Sequence, residues 1–248
     1  MTTDAMLKPY RYAIYFAPAP QSPWWQAGSQ WLGRCAVGNS VASMPAVQGV
    51  TDEEYRKVTA APRRYGWHAT LKAPFTLADG VTFHQLESAL KGIAQSTSAF
   101  DMPPLQVALL DDFLAIVAQP QSQSANALAA RCVMELHALA APLSQSELKR
   151  RRQAPLSAAQ DALLLRWGYP FVLDQYQLHC SLTGSLNGMS ARQVHSLQLA
   201  AQAWFAPLGT CRFESLALFA EPSPGADFVL LAHFKLQADS RASDSRGD

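Results

Sequence analysis

Residues 65–75, YGWHATLKAPF, and residues 172–183, VLDQYQLHCSLT, each carry a histidine, a hydroxyl side chain two positions later and then a leucine. The two tetrapeptides are His68-Ala69-Thr70-Leu71 and His179-Cys180-Ser181-Leu182. Both stretches are rich in β-formers and read as strands. Side chains two apart on a strand share a face, so each imidazole is expected beside its own hydroxyl, with Ala69, Leu71, Cys180 and Leu182 facing the other way. Singly the tetrapeptides are weak. With 31 Ser and Thr among 248 residues and 6 histidines, about 0.75 H-x-[ST] tripeptides would arise by chance. Their positions carry the signal.

Outward from both motifs the chain repeats itself. After His68, residues 82–97 read as an amphipathic helix with Phe83, Leu86, Leu90 and Ile93 on one face, and residues 105–110 and 113–118 as a hairpin turning at Asp111 and Asp112. After His179, residues 190–205 read as a helix, and residues 213–219 and 228–236 as two strands. His68 precedes the middle of its last strand, Ile116, by 48 residues, and His179 precedes Val229 by 50. The prediction is an α+β fold of two pseudo-symmetric β-α-β-β lobes, with antiparallel sheets lining a central cleft and helices on the outside. Residues 1–238 are expected to form one bilobal domain whose lobes, containing His68 and His179, are joined by a linker at about 141–170. Residues 239–248, polar and poor in apolar side chains, read as a disordered tail. Upstream, residues 11–17 (RYAIYFA) read as an opening strand and Ser22-Pro23 starts a helix carrying Trp24, Trp25 and Trp31. Thr51 to Glu54 is a capping box for a helix that Pro62 should stop. Residues 124–140 and 157–167 read as further helices, with the polar segment 142–154 between them.

Composition narrows the field. A formal net charge of +1, 49% hydrophobic and 16% charged residues describe a folded globular chain and exclude collagen-like, coiled-coil and disordered classes. Near-neutral charge argues against a protein that neutralises a long phosphate backbone, while leaving room for one small anion. DNA and membranes are not expected partners, RNA is disfavoured, and the oligomeric state is left open. The four cysteines are scattered without a C-x-x-C pair and read as buried free thiols. No run approaches the roughly 20 apolar residues of a membrane span and none resembles a signal peptide, so a cytoplasmic location is expected.

Two facing imidazoles with two hydroxyls make a four-point site for a tetrahedral anion. Histidine titrates near pH 6.5, so one ring can accept a proton while the other donates one. Thr70 and Ser181 would donate hydrogen bonds to the non-bridging oxygens as charge builds. That suits phosphodiester chemistry without a cofactor or metal; neither strand adds a nearby Asp, Glu or further His as a ligand.

These tetrapeptides, in a duplicated chain, resemble the two-histidine phosphoesterase superfamily, which includes 2′-5′ RNA ligase-like proteins and cyclic phosphodiesterases. Residues 11–20, 63–75, 166–170 and 215–222 resemble more narrowly a bacterial branch of uncharacterised function, usually encoded beside phosphonate-degradation genes. The resemblance covers about residues 9–237. It implies metal-independent hydrolysis or transfer at cyclic or 2′-5′ phosphodiesters by His68, His179, Thr70 and Ser181. The phosphonate association implies a small phosphorylated ribose or cyclic phosphate as substrate. One departure is that the branch commonly has threonine where Ser181 stands; serine keeps the hydroxyl but frees its rotamer.

Other residues carry two readings each. Lys72, at i+4 from His68, either brings a cation to the cleft or is a solvated strand-end lysine. Arg63, Arg64 and Tyr65 are candidates for a second phosphate or a ribose. Residues 149–152 (KRRR) read as a solvated face, with a basic lid as the alternative. The three tryptophans read as core, and His84, His137, His195 and His233 as structural or surface residues. The alternatives to a cyclic phosphodiesterase are a non-catalytic binder of a phosphorylated metabolite or RNA end, a 2′-5′ ligase-like activity, and a transition-metal site on the two histidines.

Overall fold

The computed structural model describes residues 9–38, 41 and 43–238; the expected tail at 239–248 lies outside them. Strand β1 (Arg11–Phe16) is buried along its whole length, which a β-rich run covered on both faces requires. Helix α1 (Pro23–Leu32) starts where Ser22 accepts from the Trp25 N–H with proline in the first turn, and ends at left-handed Gly33. Then follow α2 (Asp52–Tyr65), β2 (Ala69–Phe75), α3 (Phe83–Gln95), the short β3 (Phe100–Asp101), β4 (Leu105–Leu110), β5 (Phe113–Ala118), α4 (Gln123–Glu135), α5 (Gln145–Arg151) and α6 (Ala158–Trp167). The chain closes with β6 (His179–Ser181), α7 (Ala191–Phe205), β7 (Arg212–Phe213), β8 (Ser215–Glu221) and β9 (Val229–Lys235).

Seven strands form one antiparallel sheet in the order β4-β5-β6-β2-β1-β8-β9, and β3 pairs with β7 separately. Both features depart from separate sheets for the two copies of the repeat. The hairpin β4–β5, from the first copy, pairs with β6 of the second, while β8–β9, from the second, pairs with β1 beside β2. The helices follow suit: α3 packs on β8 and β9, and α7 on β4. The unit of sequence repetition is therefore not the unit of packing. The two motif strands, β6 and β2, meet at the middle of the sheet through the pair Ala69 and Cys180.

One face of the sheet lies under the helices. There Ile14, Phe16, Leu71, Ile116, Cys180, Leu182 and Leu218 join Trp31, Leu86, Leu128 and Leu197 in the main core. On the other face Tyr15, Phe219 and Phe228 form a smaller cluster with Tyr65 against it. All four cysteines are free thiols. No described helix is long and apolar enough to cross a membrane.

Three expectations are corrected. Helix α2 does not stop at Pro62 but runs to Tyr65. Proline removes the N–H that would reach the Val58 carbonyl, and the Gly184 N–H takes its place at 2.6 Å, so the helix survives by bonding to the loop after the second motif. The strand expected over 172–183 shrinks to His179–Ser181, preceded by a 3-10 turn at Leu173–Gln175 in which Leu173 has a positive φ. The polar segment after residue 142 contains α5, opened by a Ser144 and Glu147 capping box.

Candidate active site

The Ala69 and Cys180 pairing decides the geometry. In an antiparallel ladder with that register, Thr70 lies opposite His179 and Ser181 opposite His68, all four on the face away from Ala69 and Cys180. Ala69 and Cys180 are buried in the main core, so the quartet faces the other way, into an open cavity of about 460 Å³. His68, Thr70, His179 and Ser181 all line it. Among the described residues neither motif hydroxyl has a hydrogen-bond partner in the protein.

Each imidazole is held in the same way. The His68 Nδ1 lies 2.8 Å from the Gly66 carbonyl and the His179 Nδ1 2.9 Å from the Gln177 carbonyl. A carbonyl only accepts, so each Nδ1 carries the proton and donates, leaving each Nε2 free for a ligand. Gly66 has φ 78°, a conformation that favours glycine and turns the chain from α2 into the motif. His68 is packed more tightly than its partner. Its ring centroid lies 3.9 Å from that of buried Tyr15 and 5.9 Å from that of Tyr65. Desolvation there holds the imidazole well below its usual value, at about 4; the Gly66 hydrogen bond opposes this and the neighbouring His179 adds to it. His179 lies against Phe113, ring centroids 5.7 Å apart. The segment before β6 is tied to β2 by the Tyr176 hydroxyl, which donates to the Thr70 carbonyl at 2.9 Å.

The secondary candidates divide. Tyr65 lines the cavity. Arg63 is exposed and does not line it. Arg64 is an anchor: it pairs with buried Glu221 and donates to the Ala226 carbonyl at 3.2 Å. Lys72 is on the opposite face. Two register shifts interrupt the β1 and β2 ladder, so Thr70 lies opposite Tyr15 on the cavity side but Lys72 lies opposite Ile14 on the helix side. There it is buried, donates to the Val133 carbonyl at 3.4 Å and stands over the Phe75 ring. Burial lowers its amine to about 8.

Sequence reading missed several lining residues. Arg11 is buried, and its Nε donates to Glu221 at 2.6 Å. Tyr15 and Tyr169 also line the cavity, as do Arg150 and Arg151 of the basic run whose alternative reading was a lid. The Ser144-x-x-Glu147 capping box was the available signal that the basic run belongs to a helix with two distinct sides. No group of three or more His, Cys, Asp or Glu side chains among the described residues is arranged to hold a metal ion.

Comparison with known proteins adds the following. A family model described as "Protein of unknown function (DUF1045)" matches residues 70–229. The chain is 38% identical over 225 residues to a protein of Janthinobacterium sp. (strain Marseille) named ribose 1,5-bisphosphate phosphokinase PhnN, covering 88% of this chain and 49% of that relative. It is 39% identical over 221 residues to a protein of the same name from Laribacter hongkongensis (strain HLHK9), covering 89% of this chain and 50% of that one. The chain thus spans about half the length of the curated relatives it matches.

Proposed function

The chain belongs to the DUF1045 family, and from that premise we propose that it is a metal-independent phosphoesterase that opens a small cyclic phosphodiester carried on a phosphorylated ribose. The observation that carries this reading is the quartet of His68, Thr70, His179 and Ser181 on one face of two adjacent strands, with both Nδ1 atoms engaged by carbonyls. His68, held neutral, is the base: its Nε2 takes a proton from water as the water oxygen bonds to phosphorus. The bond from phosphorus to a ribose oxygen breaks, and His179 gives that oxygen a proton. One water is consumed, and one phosphate monoester and one free hydroxyl result. Thr70 and Ser181 donate to the non-bridging oxygens.

The relatives' name points to a kinase, which needs a nucleotide grip. The sequence has two G-x4-G pairs, Gly28 with Gly33 and Gly33 with Gly38, followed by Arg34-Cys35 and Asn39-Ser40 where a phosphate-binding loop requires Lys and Ser or Thr. Gly33 moreover closes a helix, whereas that loop opens one. We therefore assign the phosphokinase activity to the part of those relatives that this chain does not span. The present half would act on a related sugar phosphate, and cyclic-diester opening yields a ribose phosphate monoester of the class their name describes.

Turnover of 2′,3′-cyclic nucleotides and ribose cyclic phosphates, assayed in excess EDTA, tests this. His68→Ala and His179→Ala should each lose about 100-fold or more. Wild-type turnover in either variant, abolition by EDTA, or ATP-dependent phosphorylation of ribose 1,5-bisphosphate by this chain would contradict it.

A further inference from the structure

Helix α5 divides its basic run between two environments. Arg152, just past its end, makes a two-pronged pair with Asp161 of α6, Nε to Oδ1 at 2.7 Å and Nη2 to Oδ2 at 2.8 Å. Arg151 turns instead to the cavity that holds the motif histidines. Its guanidinium carbon lies 5.3 Å from the centre of the Tyr169 ring, and its Nε is buried without a hydrogen-bond partner. Among the described residues no carboxylate lies within ion-pair distance of it. The acidic neighbour it senses, Glu147, is engaged at the start of α5, accepting from the Ser144 N–H and hydroxyl.

A solvated basic run would leave all its charges in water. A partly buried guanidinium with an orphaned donor is costly unless an anion completes it. Among the described residues no Asp or Glu lines the cavity, while Arg11 does, oriented by its pair with Glu221, and exposed Arg150 adds a third positive charge. The lining thus combines the motif imidazoles and hydroxyls with guanidinium groups beside a tyrosine ring. A planar guanidinium fork matches a phosphate monoester better than a single point charge does.

We propose that Arg151, with Arg11 and Tyr169, forms a second anion subsite that binds a phosphate monoester on the substrate, away from the reacting phosphodiester. The substrate class is then a phosphorylated sugar cyclic phosphodiester, carrying two phosphates, in preference to an unphosphorylated nucleoside cyclic phosphate. The identity of the reacting end rests on the phosphoesterase reading; the monoester subsite does not.

Calorimetric titration of the full chain with ribose 5-phosphate, with ribose as the control, tests this in a His68→Ala, His179→Ala background, which removes the motif imidazoles as a competing anion site. Ribose 5-phosphate should bind where ribose does not. Adding Arg151→Met should weaken it at least tenfold, Arg151→Lys should weaken it less, and Arg152→Met should leave it unchanged. Circular dichroism checks that each variant is folded. Equal affinity with and without Arg151→Met, or ribose 5-phosphate binding no better than ribose, overturns the subsite and leaves the catalytic reading standing. Loss of EDTA-resistant turnover as an activity, with Arg151-dependent binding intact, has the opposite meaning.

Discussion

His68 and His179 occupy equivalent places in the two motifs but unequal surroundings, and the proposed division into base and acid rests on that inequality. His68 lies under Tyr15 and beside Tyr65, so its charged form is disfavoured and its value sits near 4. A base must be neutral to work, so the acid limb of kcat/KM should fall near pH 4, not near the ordinary imidazole value of about 6.5. A pH–rate profile on a ribose cyclic phosphate checks this, and an acid limb at pH 6.5 would contradict it; the fitted values belong to the coupled pair. Stability follows the same sign. A folded value below the unfolded one makes this group's contribution fully present above about pH 6.5 and lost as pH falls through about 4. At this scale the alternation of a strand made the histidine and hydroxyl pairs legible. It failed for Lys72, because an i+4 rule assumes unbroken pleating and the bulges in β2 send that side chain to the helix face. The basic run was legible only in part: composition allowed both a solvated face and a lid, and cannot say which of its members meet solvent.

Elements hold the site through a few close approaches. Helix α2 reaches the second motif through the Val58 carbonyl and the Gly184 N–H, a bond that exists because Pro62 cannot supply one. Proline read as a stop from sequence alone, since the donor that replaces its own comes from 122 residues away. Helix α1 reaches the first motif through Gly28, where an added Cβ would meet the Trp67 ring at 2.0 Å; Trp67 is buried, stacks on Phe205 and directly precedes His68. In an exposed helix Gly→Ala gains up to about 1 kcal/mol. Here overpacking against a large ring wins, so Gly28→Ala should destabilise by about 1–3 kcal/mol and lower turnover. Urea unfolding measures the first effect, and an unchanged or raised midpoint would contradict it. Capping residues made the starts of α1 and α2 readable, because Ser22 and Thr51 accept from the first turn as such residues do, while α3 was readable from its apolar face.

At the scale of the whole molecule the repeat acquires its meaning from partners that periodicity does not encode. Hydrophobic patterning located the strands of both copies, but pairing is a long-range choice, and the chain exchanges its hairpins so that β6 and β2 lie side by side in one sheet. That exchange makes one four-residue site from two half-motifs separated by 111 residues. Helix α5, from the segment between the copies, adds Arg150 and Arg151 to the lining of the same cavity. On the proposed reading this shared face binds the phosphodiester. A crystal structure with a bound cyclic nucleotide or ribose cyclic phosphate tests it most directly. The phosphorus should lie between the Nε2 atoms of His68 and His179, with the Thr70 and Ser181 hydroxyls on its non-bridging oxygens. A ligand seated elsewhere, or a cleft left empty at saturating ligand, would contradict it.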